Sequence, residues 1–84
     1  MEKIKIERVQ TGVRIEKRML KVLKALAEYF DITLGDLLEG IILHAFEGKS
    51  PFQGETLELI ETLKAVYGMD FDARASHHFV EEAE

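Results

Sequence analysis

The stretch VQTGVRIEKRMLKVLKALAEYFDITLGDLLEGIILHAF at residues 9–46 changes its hydrophobic period between residues 15 and 17. Up to residue 15 apolar and polar side chains alternate, which is typical of a half-buried strand. From Lys17 to Phe30 the apolar residues instead follow the period of an amphipathic helix. A short turn and a second, more apolar helix come next. The sequence therefore predicts a mainly α-helical chain with one short strand.

The limits of the second predicted helix follow from its flanking residues. Thr33, with Asp36 three residues later, resembles a capping box, so the helix is expected to begin at Thr33 or Leu34. It is expected to run through Phe46, because Gly48 is a natural stop. A third helix is expected in the C-terminal part of the chain, from about Glu55 to Tyr67, with Gly68 as its stop.

The chain divides into three parts by composition. Residues 1–8 form a basic N-terminal arm, in which Ile4 and Ile6 alternate in the opposite phase to the main strand, so a second short strand is possible there. Residues 9–48 hold the strand and the first two helices. Residues 49–84 hold the third helix and an acidic tail, whose last residues are expected to be frayed.

The net charge of −5 conceals a strong segregation of charge along the chain. Residues 1–24 carry eight Lys or Arg and three Glu, a balance of +5, and the remaining residues total −10. An acidic protein is a poor ligand for phosphate backbones, whereas a basic segment is a good one. The asymmetry therefore indicates a basic working face and an acidic remainder.

A chain of 84 residues without cysteine has neither disulfides nor a Cys-based zinc site to support a small core. The second helix is apolar around much of its circumference, so one strand and one short helix cannot cover it within a monomer. We therefore expect a second copy of the chain to complete the core. The apolar residues of this helix are Leu34, Leu37, Leu38, Ile41, Ile42, Leu43, Ala45 and Phe46.

Several classes of function are not expected. The adjacent His77 and His78 have no partner at metal-ligand spacing, and His44 is expected to be a core or interface histidine with a hydrogen-bond partner. The sequence contains no Ser/His/Asp constellation and no glycine-rich phosphate loop, so we expect neither an enzyme nor a cofactor or metal. It contains no membrane span or signal peptide, and the lack of cysteine fits the cytoplasmic location that we expect.

The order of these elements resembles the ribbon-helix-helix family of the Arc, MetJ and CopG type. In that order a strand is followed at once by an amphipathic helix, then by a short turn and a capped apolar helix. The resemblance covers about half of the chain and reads without gaps as TGVRIEKRMLKVLKALAEYFDITLGDLLEGIIL at residues 11–43. It implies an intertwined homodimer in which one strand from each subunit pairs antiparallel, and the resulting ribbon enters the major groove of DNA. A lone strand favours this arrangement because its backbone groups need a partner.

The resemblance also implies three groups of functional residues. The base-contacting residues would be Gln10, Gly12 and Arg14, with Arg14 suited to guanine and Gln10 to adenine. Phosphate contacts would come from Lys17, Arg18 and Lys21, and from Thr33, Leu34 and Gly35 at the start of the second helix. The dimer core would comprise Val9, Thr11, Val13, Ile15, Leu20, Leu23, Leu37, Leu38, Ile41 and Ile42.

These assignments predict a repressor-like transcriptional regulator that binds double-stranded DNA as a homodimer. Two alternatives stay open. The acidic composition of the C-terminal part also fits an antitoxin, and loss of DNA binding fits Gly12, which offers no side chain to the groove, and Asp36 and Glu39, which place negative charge near the expected phosphate. One is an antitoxin whose acidic residues 49–84 wrap a basic toxin. The other is an adaptor dimer that has the fold but does not bind DNA.

Overall fold

The computed structural model describes residues 3–82 and contains three helices. Helix α1 spans Lys17–Tyr29, α2 spans Leu34–Phe46 and α3 spans Glu55–Val66. A single 3-10 turn at Ala73–Ala75 follows α3, and residues 3–16 adopt neither helix nor strand. Because α1 packs against both α2 and α3, the three helices share one small core.

The predicted fold class is wrong, because residues 9–15 form no strand and no strand occurs anywhere in residues 3–82. Val9 and Val13, which were expected to face a core, are 79% and 74% exposed. A strand is stable only where a neighbouring strand takes up its N–H and C=O groups, and the described chain offers no such neighbour. The described chain is all-helical, which overturns the ribbon-helix-helix assignment.

The second strand considered for the N-terminal arm is also not found. Residues 3–6 lie outside any helix or strand, and both Ile4 and Ile6 are exposed. Met1 and Glu2 lie outside the described residues. The whole segment from residue 3 to residue 14 is solvent-exposed, so its alternating pattern does not reflect burial within the chain.

The predicted starts of α1 and α2 are confirmed, and each has a side-chain cap. The Glu16 carboxylate accepts a hydrogen bond from the Met19 N–H at 2.8 Å, and α1 begins directly after it. The Thr33 hydroxyl accepts a hydrogen bond from the Asp36 N–H at 3.0 Å. Each cap gives a partner to an N–H group that has none within its helix.

The turn between α1 and α2 depends on Asp31, whose φ of 57° lies in the left-handed region. The Asp31 N–H donates to the Glu28 carbonyl at 3.1 Å, and the Ile32 N–H donates to the Ala27 carbonyl at 3.0 Å. This pair of bonds is a Schellman motif, which stops a helix by bonding its last carbonyls. Aspartate is one of the few residues other than glycine that tolerate the left-handed conformation.

Glycines end α2 and α3 as predicted. Gly48 and Gly68 both have a φ of 68°, and each is followed by a residue whose N–H bonds back to the helix. The Lys49 N–H donates to the His44 carbonyl at 2.9 Å, and the Met69 N–H donates to the Lys64 carbonyl at 2.8 Å. Glycine has no Cβ to clash in this conformation, so both helices stop where the sequence indicated.

The core is small for a chain of this length. Only Val22, Leu26, Ala27 and Leu37 are buried in the described chain. The last three of these form one cluster, against which half-buried residues from all three helices and from the loop before α3 pack: Leu23, Ile41, Phe52, Leu59, Ile60 and Leu63. Helix α3 therefore contributes to the same core as α1 and α2.

One side of α2 is left uncovered within the chain. Leu43 is 63% exposed and Phe46 is 79% exposed, and Ile42 beside them is also exposed. We call these three residues the outer face of α2. None of the helices in residues 3–82 combines the length and the apolar character needed to cross a membrane.

Candidate nucleic-acid interface

The residues predicted to contact bases lie within residues 3–14, which are exposed throughout and which we call the N-terminal segment. Gln10, Gly12 and Arg14 are all exposed, so each is accessible to a ligand. A Cβ built on Gly12 would meet no atom within 4 Å, which means that nothing within the chain requires glycine there. The structure holds these residues in no regular element, so it does not bring them to one face as the predicted strand would have done.

Two arginines of this segment are paired with acidic residues from distant parts of the chain. Arg8 forms a two-pronged ion pair with Glu39 of α2, with N–O distances of 3.0 and 2.9 Å. The hydrogen bonds of this pair hold the pKa of Glu39 below its usual value and raise that of Arg8. Arg14 pairs with Glu81. The N-terminal segment is thus tied to α2 at one point and to the C-terminal segment at another.

Helix α1 presents the other basic side chains. Lys17, Lys21 and Lys24 are exposed along it, and Lys17 and Lys21 are the two of these that were predicted to contact phosphates. The ammonium of Lys21 also lies 5.9 Å from the centre of the Tyr67 ring. The exposed lysines extend the positive charge of the N-terminal segment by two turns of helix.

Arg18 has a different environment from the other predicted phosphate contacts. Its guanidinium donates to the Gly68 carbonyl at 3.0 Å and to Glu16 at 3.1 Å, and it lies 3.6 Å from an Asp70 oxygen. The Phe71 ring lies 5.1 Å from it. Arg18 therefore links the start of α1 to the chain that follows α3, a role that sequence reasoning missed because Gly68, Asp70 and Phe71 lie about fifty residues away in the sequence.

Glu16 is held in its charged form at this junction. Burial acts to raise the pKa of Glu16, but the N–H of Met19 and the guanidinium and N–H of Arg18 outweigh burial and lower it. The carboxylate both caps α1 and neutralises part of the charge of Arg18. Glu16 was not among the predicted functional residues, although its position directly before the helix was a signal for a cap.

The start of α2 was predicted to bind a phosphate through Thr33, Leu34 and Gly35. The Thr33 hydroxyl is occupied as the helix cap. Asp36 places a carboxylate in the first turn, which is favourable for the helix dipole but repels an anion. The geometry therefore favours capping as the role of Thr33.

The residues predicted for a dimer core fall into three groups. Val9, Thr11, Val13 and Ile42 are exposed, and Leu37 is buried within the chain. The half-buried group comprises Ile15, Leu20, Leu23, Leu38 and Ile41. The exposed members could be covered only by another molecule, since the chain itself leaves them in solvent.

A shallow, open cleft of about 270 Å³ lies between the α1–α2 turn, α2 and the loop before α3. Its ionisable lining residues are Asp36 and His44, and His44 shares a hydrogen bond of 2.7 Å with the Gly40 carbonyl of its own helix. No group of three metal-ligating side chains occurs in residues 3–82.

Comparisons of the chain with protein-family models, with curated proteins and with solved structures found no match.

Proposed function

We propose that the protein is a small DNA-binding regulator whose N-terminal segment and helix α1 contact the duplex. The observation that carries the proposal is the segregation of charge: residues 1–24 have a balance of +5 and the remaining residues have −10. We call residues 1–24 the basic region, and within it residues 3–14 are all exposed. Lysine and arginine side chains in such a region can displace the counterions of the DNA backbone, which is the main source of affinity for DNA.

The N-terminal segment suits groove binding because its backbone is not committed to a helix. Arg14 and Gln10 carry the side chains that can form paired hydrogen bonds with guanine and adenine. Lys17 and Lys21, on the first turns of α1, would add contacts to phosphates that do not depend on sequence. Because these contacts are mostly between basic side chains and phosphates, the proposal predicts a strong dependence of the DNA affinity on salt.

We further propose that the protein acts as a homodimer through the outer face of α2. The accessible surface of the single chain is 7777 Å², whereas a compact monomer of 9.6 kDa exposes about 5,100 Å². The excess includes residues 3–14, which are exposed throughout, and the outer face of α2, which a second copy would cover. Leu43 and Phe46 supply the apolar centre that such an interface needs.

The antitoxin alternative receives less support than DNA regulation. It requires that residues 49–84 stay open until they wrap a toxin. Leu59, Ile60 and Leu63 of α3 instead pack on the core formed by α1 and α2. The adaptor alternative has one observation in its favour, which is that Arg8, Arg14 and Arg18 all have acidic partners.

The proposal is tested by titrating short duplexes of random and genomic-upstream sequence with the purified protein across a salt series. The variants Arg14→Ala and Lys17→Ala are compared with Lys49→Ala, which removes the same charge outside the basic region. We expect Arg14→Ala to weaken selective binding by about tenfold. Lys17→Ala should weaken binding to all duplexes and reduce the salt dependence by about one charge, and Lys49→Ala should bind like the wild type.

Absence of DNA binding by the wild type even at low salt would contradict the proposal and favour the adaptor dimer. Equal weakening by Lys17→Ala and Lys49→Ala would show that net charge alone, rather than the basic region, determines the affinity.

A further inference from the structure

The chain that follows α3 lies against the basic region, where it contacts Arg14, a base-contacting residue of the proposed function, and Arg18 on α1. We call residues 69–82 the acidic C-terminal segment, because they include Asp70, Asp72, Glu81 and Glu82 with a single arginine. Asp70 lies 3.6 Å from the guanidinium of Arg18, and Glu81 pairs with Arg14. Glu81 therefore occupies the guanidinium of Arg14, while Asp70 adds negative charge beside Arg18, whose N–H groups donate to Glu16 and to the Gly68 carbonyl.

Aromatic contacts hold the segment in this position. Phe71 lies under the guanidinium of Arg18 at 5.1 Å, and the rings of Phe71 and Phe79 meet edge to face at 5.2 Å. The second contact brings the chain back on itself after the turn at Ala73–Ala75, so that Glu81 returns towards the N-terminal segment. The hydrogen bond from Arg18 to the Gly68 carbonyl, at 3.0 Å, fixes the beginning of the segment.

From these contacts we infer that the acidic C-terminal segment competes with DNA for Arg14 and Arg18 and so limits the DNA affinity of the protein. The inference rests on the proposed function. The N–H groups of Arg14 that pair with Glu81 cannot at the same time bind a phosphate or a guanine, and the Asp70 carboxylate beside Arg18 repels a phosphate that approaches this arginine. The segment belongs to the same chain, so it is present near the arginines at a high effective concentration.

The competition is expected to be modest, because the ion pairs are exposed. The Arg14 and Glu81 side chains are 84% and 68% exposed, and Asp70 is 87% exposed, and water and salt screen such pairs strongly. We expect removal of the two carboxylate charges to raise DNA affinity by about three- to tenfold at low salt. The segment therefore tunes the affinity over a small range and does not abolish binding.

The test uses the full chain with Asp70→Asn and Glu81→Gln together, which preserves Phe71 and Phe79. The matched control is Glu55→Gln with Glu58→Gln, which makes the same change in net charge on α3, where neither residue pairs with Arg14 or Arg18. Affinity for a random-sequence duplex is measured for all three proteins across a salt series. Because salt also weakens the internal ion pairs, the gain of the test variant over the control should shrink as salt rises.

A second measurement follows the arginines directly by NMR of their side-chain Nε–H groups. In the free wild type the signals of Arg14 and Arg18 should differ from those of the test variant, and DNA should move the signals of residues 69–82 towards those of an open chain. Equal DNA affinity of the test variant and the control, or signals of residues 69–82 that do not change on DNA binding, would overturn the inference while leaving the proposed function intact. Failure of every protein to bind DNA would contradict both.

Discussion

Arg18 is a residue whose role depends on groups that are far away in the sequence. The pattern of positive charges along α1 predicts a phosphate contact, and Lys17 and Lys21 on the same turns are indeed exposed. Arg18 instead contacts the Gly68 carbonyl, Asp70 and Phe71. The planar guanidinium can donate several hydrogen bonds and also lie on an aromatic ring, so a single arginine can join two segments that share no local pattern.

At the same scale, Glu16 should make the stability of the protein depend on pH. Its pKa is lowered in the folded chain from an ordinary value of 4.5, so the stabilisation is present above that value and is lost as the pH falls through the lower folded pKa. We expect the urea midpoint of the wild type to fall more steeply in acid than that of Glu16→Gln. The control is Glu28→Gln, which removes an exposed carboxylate from the same helix, and its urea midpoint should depend on pH as that of the wild type does.

The elements differ in how well local sequence specifies them. The starts of α1 and α2 follow from capping side chains at Glu16 and Thr33, and the ends of α2 and α3 follow from Gly48 and Gly68. Each of these signals acts over a few residues, through one hydrogen bond or one backbone conformation. The strand pattern at residues 9–15 is a weaker signal, because a strand also needs a neighbour that the pattern does not provide.

The cap of α2 gives a prediction at the scale of the helix. Thr33→Ala removes the hydroxyl that accepts from the Asp36 N–H, and we expect it to lower the free energy of unfolding by about 1 kcal/mol. Thr62→Ala is the matched control, because the Thr62 hydroxyl donates to the Glu58 carbonyl within α3 and such a bond does not stabilise a helix. The free energies of unfolding of both variants are measured by urea denaturation. Equal values for Thr33→Ala and Thr62→Ala would contradict a stabilising role for the Thr33 cap.

For the whole molecule, the balance between exposed and buried apolar surface is the dominant fact. Four buried side chains form the interior of the described chain, while the outer face of α2 and much of the N-terminal segment leave apolar groups in water. Burial of apolar surface is the main favourable term in folding and in association. A chain with so small an interior is expected to gain stability from a second copy.

Dimer formation can be tested by substitution of one leucine on α2 and one valine on α3 whose side chains have similar exposure. Leu43→Glu places a charge on the outer face of α2, and Val66→Glu places one on α3, where the wild-type side chains are 63% and 68% exposed. We expect the wild type and Val66→Glu to sediment as dimers, with a thermal midpoint that rises with protein concentration. Leu43→Glu should sediment as a monomer. A monomeric wild type at high concentration would contradict the proposed homodimer.

Sequence alone determined where the helices begin and end and how the charge is divided, because caps, glycine stops and net charge act locally or by simple addition. It did not determine the state of residues 9–15 or the partners of Arg14 and Arg18. Those depend on what lies beside each group in three dimensions: a strand exists only beside another strand, and an arginine is free or occupied according to which carboxylate the fold brings to it. Tertiary structure alone placed Glu39, Asp70 and Glu81 against the basic region, because contacts between residues far apart in the chain arise only from packing.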